Sequence, residues 1–300
     1  MDRWGDIIGP ALCQALPAGT SLRLSLVGGA DGVTAANQFD ARVAPDAETV
    51  LLLPGETPLA WLTGDPRARF DAACWLPVMA GLTSGVLASR VPATGLRPGA
   101  RLRVATTATP AGPELAALLG LDLMGIEPVA ATGLPGPDAA LPALRARLVD
   151  AVFIAGPEAP AALAQACQAG ATPLFSLGVP SEGGVLRDPL LPDIPTAPEL
   201  ATMLNGRRPG GLLSGVWRSV AAAAQIEFAV VLPPLTPASL VSQWRRAGAE
   251  AALTLQGRVP GVRLLAAPEA NIAANAVVAD PAAILELRRW LAVRFNWRPS

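Results

Sequence analysis

The chain has 300 residues, of which 51% are hydrophobic and 16% charged, with a formal net charge of -1 and a mean hydropathy of +0.40. That is material for one large or two smaller packed domains, and the even charge balance argues against a nucleic-acid or anionic-membrane partner. Histidine, tyrosine and lysine are absent, and all 23 basic residues are arginine. This excludes Ser-His-Asp and Cys-His catalysis, Schiff-base chemistry, a phosphate-loop lysine and histidine-containing metal sites. Asp and Glu are left for acid–base work, with Arg as a fixed charge.

From the N-terminus, MDRWGDIIGPALCQAL carries Asp2, Arg3 and Asp6 and lacks the clean apolar run of a signal peptide. Residues 21–29 (SLRLSLVGG) read as a strand, 33–43 as a helix, and 48–55 as a strand ended by Pro54 and Gly55. The longest uncharged apolar run, 72–89, contains Pro77, Gly81 and Gly85; it reads as buried strand and crossover, not as a membrane span. Strand and helix then alternate: strand 101–109, helix 112–123 with Pro113 and Glu114 at its start, strand 127–132, helix 137–148, strand 150–156, helix 160–170 stopped by Gly170, and strand 172–178. The spacing predicts parallel βαβ units with helices on both faces. Residues 225–237 predict a further strand and turn, and 237–256 an amphipathic helix. Asp280 and Pro281 open a last helix with Ile284, Leu287, Leu291 and Phe295 on one face. Cys13, Cys74 and Cys167 form no CxxC pair and read as small buried hydrophobes.

Residues 179–211 are rich in Pro, Gly and Arg. Within them RDPLLPDIPTAPEL (187–200) places Pro189, Pro192, Pro195 and Pro198 at the period of polyproline II. The strip reads as a stiff, extended return path, ended by Thr196 as a helix N-cap with Glu199 in capping-box spacing. With the crossover near 80–90, it gives two passages between two lobes. The expected division is 1–85 plus 222–300 for lobe 1 and 86–221 for lobe 2.

Candidate chemistry gathers at strand ends. In VATTATPAGPEL (104–115), Thr106, Thr107 and Thr109 precede a helix start, where N–H groups and hydroxyls bind anions, carboxylates included. In VGGADGVTAANQ (27–38), Gly28, Gly29 and Gly32 lead into a helix with Thr34 near its start; the spacing is not GxGxxG. In LLPGETPL (52–59), Thr57 and the backbone offer donors beside Glu56. Asp65 with Asp71, or Asp188 with Asp193, are the acidic pairs a carboxylate enzyme would need, and no spacing singles them out. Of the seven tryptophans, Trp61 and Trp75 are candidates for a cleft wall.

Taken in order, six segments resemble the substrate-binding proteins of tripartite tricarboxylate transporters, the TctC or Bug-type receptors. Arg187 followed by LPDIPTAPEL is similar to the family's R…LPD(V/I)PT..E. APDAETVLLL (44–53) resembles its APDGYTLLL strand, and RFDAACWLPVMAG (69–81) its YDP…DFxPV segment. PGARLRVATTATPAGPELAALL (98–119), RLVDAVFIAG (147–156) and VVLPPLTPASLVSQW (230–244) match the remaining three in sense. The resemblance implies an α/β, two-lobed type II periplasmic binding protein fold, with mixed, mostly parallel sheets and helices on both faces. It implies a receptor without catalysis or cofactor, which closes on a small solute, a carboxylate favoured, through loop amides and hydroxyls.

Carried over by position, the resemblance puts Thr106, Thr107 and Thr109 in the second-lobe loop, Asp150 where the family keeps its Asp, and Gly32 and Thr34 beside its glycine-rich segment. The implied partners are the solute and the membrane components of the transporter, with no nucleic acid. The implied location is the periplasm, or the cytoplasm if the start codon is correct as given. Three departures stand out. The family's first strand and its PPGG loop have no counterpart, so an N-terminal truncation is expected. Ala108 and Pro110 replace loop glycines, and Pro110 lacks an N–H. Glu114 stands where the family has His, which favours a neutral or cationic solute there. These departures leave a second expectation open, a receptor relic that acts as an interaction protein without binding solute.

Overall fold

Helical and strand periodicities resolve into two separate main sheets in the computed structural model, which describes residues 2–29, 31–108 and 111–297. The first helix, α1 (Asp2–Ala15), buries Trp4, Ile8, Ala11 and Leu12 along one stripe. α2 (Val33–Arg42) buries Val33, Ala36 and Phe39. After β1 (Leu51–Leu53) and α3 (Glu56–Thr63), the apolar run at 72–89 becomes β2 (Leu76–Leu82) and β3 (Gly85–Ser89), which lie in different sheets. Next come β4 (Arg101–Ala105), α4 (Leu115–Leu123), β5 (Glu127–Ala131), α5 (Gly136–Arg145), β6 (Ala151–Ala155), α6 (Ala159–Gln168) and β7 (Thr172–Ser176), in the expected alternation. A hairpin of β8 (Val179–Ser181) and β9 (Gly184–Leu186) leads to α7 (Ala197–Asn205), α8 (Gly211–Gln225) and β10 (Ile226–Leu232). α9 (Ala238–Leu255), β11 (Arg263–Leu265), α10 (Ala267–Val277) and α11 (Pro281–Phe295) complete the chain. Among the described residues no single helix is long and apolar enough to cross a membrane.

One sheet has the order β1-β10-β2-β11, with every pair antiparallel. The other has the order β5-β4-β6-β3-β7, with β4 parallel to β5 and β6, and β3 antiparallel to both its neighbours. The class is α/β with mixed sheets, as expected, but the expectation of mostly parallel pairing is corrected. Successive βαβ crossovers build only the β4–β5–β6 part. The first sheet is assembled from the two ends of the sequence, so its neighbours are not joined by crossover helices and run in opposite directions.

Three local expectations are also corrected. Residues 21–29 form no strand: Leu22, Leu24 and Leu26 are 38%, 50% and 62% exposed, and no described strand pairs with them. Alternation states which faces a strand would have, but it supplies no partner for the ladder. The proline strip is not extended. Leu191 N donates to Asp188 O (2.9 Å) and Ile194 N to Leu191 O (3.1 Å), two consecutive turns with Pro189 and Pro192 at their second positions. Proline's fixed φ suits that position, so a period of three is here the period of linked turns. Buried Asp188 strengthens the first turn by accepting from Leu190 N (2.9 Å). The helix cap at the strip's end is as expected, with Thr196 and Glu199 exchanging both capping-box bonds. Lastly, Cys74 and Cys167 are exposed rather than buried, and all three cysteines are free thiols.

The largest core surrounds α4 and α8. Leu115, Leu118, Leu119, Phe175 and Trp217 are fully enclosed there, and Trp217 Nε1 donates to Ala116 O (3.1 Å). The end of α8 meets the β1–α3 loop closely: Gly55 N donates to Ile226 O (3.1 Å), and a Cβ on Gly55 would overlap the Ala223 carbonyl oxygen. Gly55→Ala is therefore expected to lower stability by about 1–3 kcal/mol, as overpacking does, read as a shift in the urea midpoint at unchanged slope.

Candidate ligand cleft

The strand ends singled out by sequence do converge, but their neighbours face the space between them. A cavity of about 340 Å³ lies where the two sheets meet. From the first sheet's side it is walled by Trp4, by Pro54, Gly55 and Glu56 after β1, and by Glu227. Pro113 ahead of α4, and Ala155 and Gly156 at the end of β6, wall it from the other side. Thr83, between β2 and β3, and Ala223, Ala224 and Ile226 at the α8–β10 junction close it at the crossing points.

The electrostatics of this cleft are acidic. Among the described residues, Glu227 and Glu56 line it and no basic side chain does. Glu227 Oε1 accepts a hydrogen bond from Trp4 Nε1 (3.0 Å), which fixes the indole against the wall. Glu56 is exposed to the cleft, yet protein surrounds it. That enclosure, followed by the carboxylates of Glu227, Asp31 and Glu114, pushes its carboxyl above the ordinary value of 4.5, against the lowering effect of its own backbone N–H.

The expected anion cradle at 106–114 is already filled by the protein itself. Glu114, 6% exposed, accepts from Thr107 N (2.6 Å) and from the Thr107 hydroxyl through the same oxygen. A carboxylate does sit on these donors, as the loop chemistry predicts, but it belongs to the chain. Thr106 is buried, and its hydroxyl has no hydrogen-bond partner among the described residues. Thr109, with Pro110, lies outside the described residues.

The remaining candidates are placed as follows. Thr57 is fully buried, and its hydroxyl donates to Asp31 O (2.8 Å), tying α3 to the turn before α2. Gly32 adopts φ +70 at that turn, and a Cβ there would overlap the Thr57 hydroxyl, so both residues serve the junction beside the cleft. Thr34 is exposed on α2. Asp150 stands before the first residue of β6, whereas the cleft touches the strand's other end at Ala155. About 16 Å of strand separates them. There Asp150 is held by Arg103 through Nε (3.0 Å) and Nη2 (2.8 Å), and that hydrogen-bonded ion pair, opposed by partial burial, lowers its pKa. Trp61 and Trp75 do not line the cavity; Trp75 Nε1 donates to Asp40 (3.2 Å). Sequence reading named Glu56 and missed Trp4, Thr83 and Glu227, whose only signal is tertiary: Trp4 and Glu227 are 223 residues apart. No cluster of three or more metal-ligating side chains occurs among the described residues.

Neither a family sequence model nor a curated protein matches the chain. Solved structures do match. A ligand-free TctC solute-binding protein from Polaromonas superimposes with a TM-score of 0.60 at 14% identity, covering 97% of this chain and 93% of that one. The fold is that of TctC and Bug solute-binding proteins. MatC from Rhodopseudomonas palustris, solved with bound malate, gives a TM-score of 0.54 at 20% identity, covering 97% and 94%. The periplasmic binding protein BugD gives 0.51 at 17% identity, covering 98% and 92%. At these identities the likeness is one of fold.

The raised pKa of Glu56 has a consequence for stability. A carboxyl whose folded-state pKa lies above its unfolded value penalises the folded state at every pH where it is ionised, and the penalty vanishes once it is protonated in both states. Glu56→Gln is therefore expected to raise Tm at pH 7. The advantage should shrink as pH falls and disappear below about 4.5, when wild type and variant are compared by calorimetry across pH.

Proposed function

We propose that the chain is a solute receptor without catalysis, which holds a small molecule in the cleft between two lobes, residues 1–85 with 222–300 and residues 86–221. The observation that carries this reading is the cavity at the meeting of the two sheets, in a fold shared with solute-binding proteins. A receptor needs no proton-transfer residues, which accords with a chain lacking His, Lys and Tyr. Malate in the MatC structure supports a carboxylate-bearing solute. The resemblance extends the proposal to delivery, in the periplasm, to the membrane components of a tripartite tricarboxylate-type transporter.

The acids of the cleft constrain how such a solute sits. Two carboxylates a few ångströms apart repel strongly when partly shielded from water. The solute's carboxylate then belongs beside Gly156, away from the two acids, and its hydroxyl or amino groups face Glu56 and Glu227. A second reading has its own observation. Glu114 occupies the donors of Thr107, as expected of a receptor relic that no longer binds solute.

Thermal unfolding with malate, succinate and adipate, each beside its diamide, separates these readings. A true ligand at about 100 times its Kd stabilises the folded state by about 2.7 kcal/mol. Saturable stabilisation by a carboxylate and not by its diamide is the expected result. Stabilisation by diamides alone would contradict the carboxylate reading, and no response to any compound would favour the relic.

A further inference from the structure

The charge of the cleft wall constrains the charge of the solute, on the reading above that this cleft is a receptor site. Three helices begin in segments that wall it, and a helix start is where backbone N–H groups and the macrodipole favour a carboxylate. Two of those starts carry a glutamate of their own. Glu56 is the first residue of α3 and lines the cavity, and Glu114 at the N-cap of α4 already takes the donors of Thr107. At the third, α6, Glu158 holds the N-cap position but makes no capping bond and does not line the cavity. Ala155 and Gly156 therefore form a wall without a carboxylate on it.

α8 adds to the negative side. Its last turn lines the cavity through Ala223 and Ala224 and contains no basic residue. The negative end of a 15-residue helix thus has no counter-charge of its own. Beside it, Glu227 in β10 spends Oε1 on Trp4 Nε1 (3.0 Å). None of the ion pairs among the described residues includes Glu227 or Glu56. Arg3 lies over the Trp4 ring, 5.6 Å from its centroid, but it is exposed and outside the lining. Enclosure by the protein, then the charges of Glu227, Asp31 and Glu114, raise the pKa of Glu56, as expected of a carboxylate without a counter-ion.

We propose that the solute carries a protonated amine at one end and its carboxylate at the other, an ω-amino carboxylate in place of a dicarboxylate. The ammonium sits between Glu56 and Glu227 at the end of α8, and the carboxylate lies beside Gly156. Charge-assisted hydrogen bonds to the two acids replace the water lost on enclosure. A cation there also offsets the repulsion between two carboxylates. A second carboxylate in the same place would meet like charge from both acids and from the helix end.

Two series of probes are compared on the full chain by NMR titration. One is succinate, glutarate and adipate. The other is β-aminopropionate, γ-aminobutyrate and δ-aminovalerate, in which an ammonium replaces one carboxylate of each diacid in turn. At matched length the amine is expected to bind roughly 10- to 100-fold more tightly, the gain of one hydrogen bond to a charged group. Glu227→Gln keeps an acceptor for Trp4 Nε1, and Glu56→Gln keeps the shape of the side chain, so each removes charge alone. Each is expected to reduce the preference roughly 10-fold. A folded variant with the full preference overturns the assignment to that acid. Diacids that bind the unsubstituted chain as tightly as their amino counterparts overturn the inference and leave the receptor reading standing, whether or not the variants fold. No binding by any member of either series overturns both.

Discussion

Two backbone hydrogen bonds at the end of α8 tie the crossing segments together. Thr83 N donates to Gln225 O (2.9 Å) and Gly55 N to Ile226 O (3.1 Å). Thr83 lies where the chain passes from one sheet to the other, Gly55 where β1 gives way to α3, and Gln225 and Ile226 where α8 becomes β10. Buried backbone groups must be paired, so the meeting of these segments is an obligation of the fold and not a preference. Gly55 permits it by having no side chain to strike the Ala223 carbonyl. The cleft lies at this junction, with Gly55, Thr83 and Ile226 among its walls.

The charge arrangement around the cleft runs against a simple anion site. Glu114 occupies the loop donors of Thr107 from within, and Glu56 and Glu227 add carboxylates with no arginine in the lining among the described residues. Enclosure by the protein and the neighbouring carboxylates raise the pKa of Glu56. Groups held at perturbed pKa values in a cavity are functional candidates on physical grounds. A solute that brings donors to those carboxylates relieves the same desolvation and repulsion that raise the pKa of Glu56.

The legible part of the fold is the run in which short apolar strands and helices are separated by Gly and Pro. From β4 to β7 that punctuation declares each element in turn, even where, as in α4, the helix is buried all round. α8 is not named from sequence: it opens at Gly211 directly after the Pro-, Gly- and Arg-rich stretch, and its second half, Ala221 to Ala224, is a buried alanine run. β8, β9 and β11 are three residues long, too short for any period to show. The strip at 187–200 misled because turns and polyproline II share a spacing of three, and only the hydrogen bonds of Leu191 and Ile194 tell them apart. At the cleft, the strand ends at 54–56 and 113 were found from donor chemistry. The interior choices were not, since Thr57 and Thr107 turn their hydroxyls to internal partners while Glu56 and Pro113 face the space. Trp4 and Glu227 meet only in three dimensions.

Trp4 offers the most direct test that this cleft holds the solute. Its indole lines the cavity and its N–H is spent on Glu227, so a ligand seated there changes the ring's surroundings. Tryptophan emission is titrated with the best-stabilising compound, in wild type and in Trp4→Phe. The account predicts a saturable change in wild type that is largely lost in the variant while the other six tryptophans remain. An emission change of the same size in both proteins would place the solute elsewhere and contradict the account.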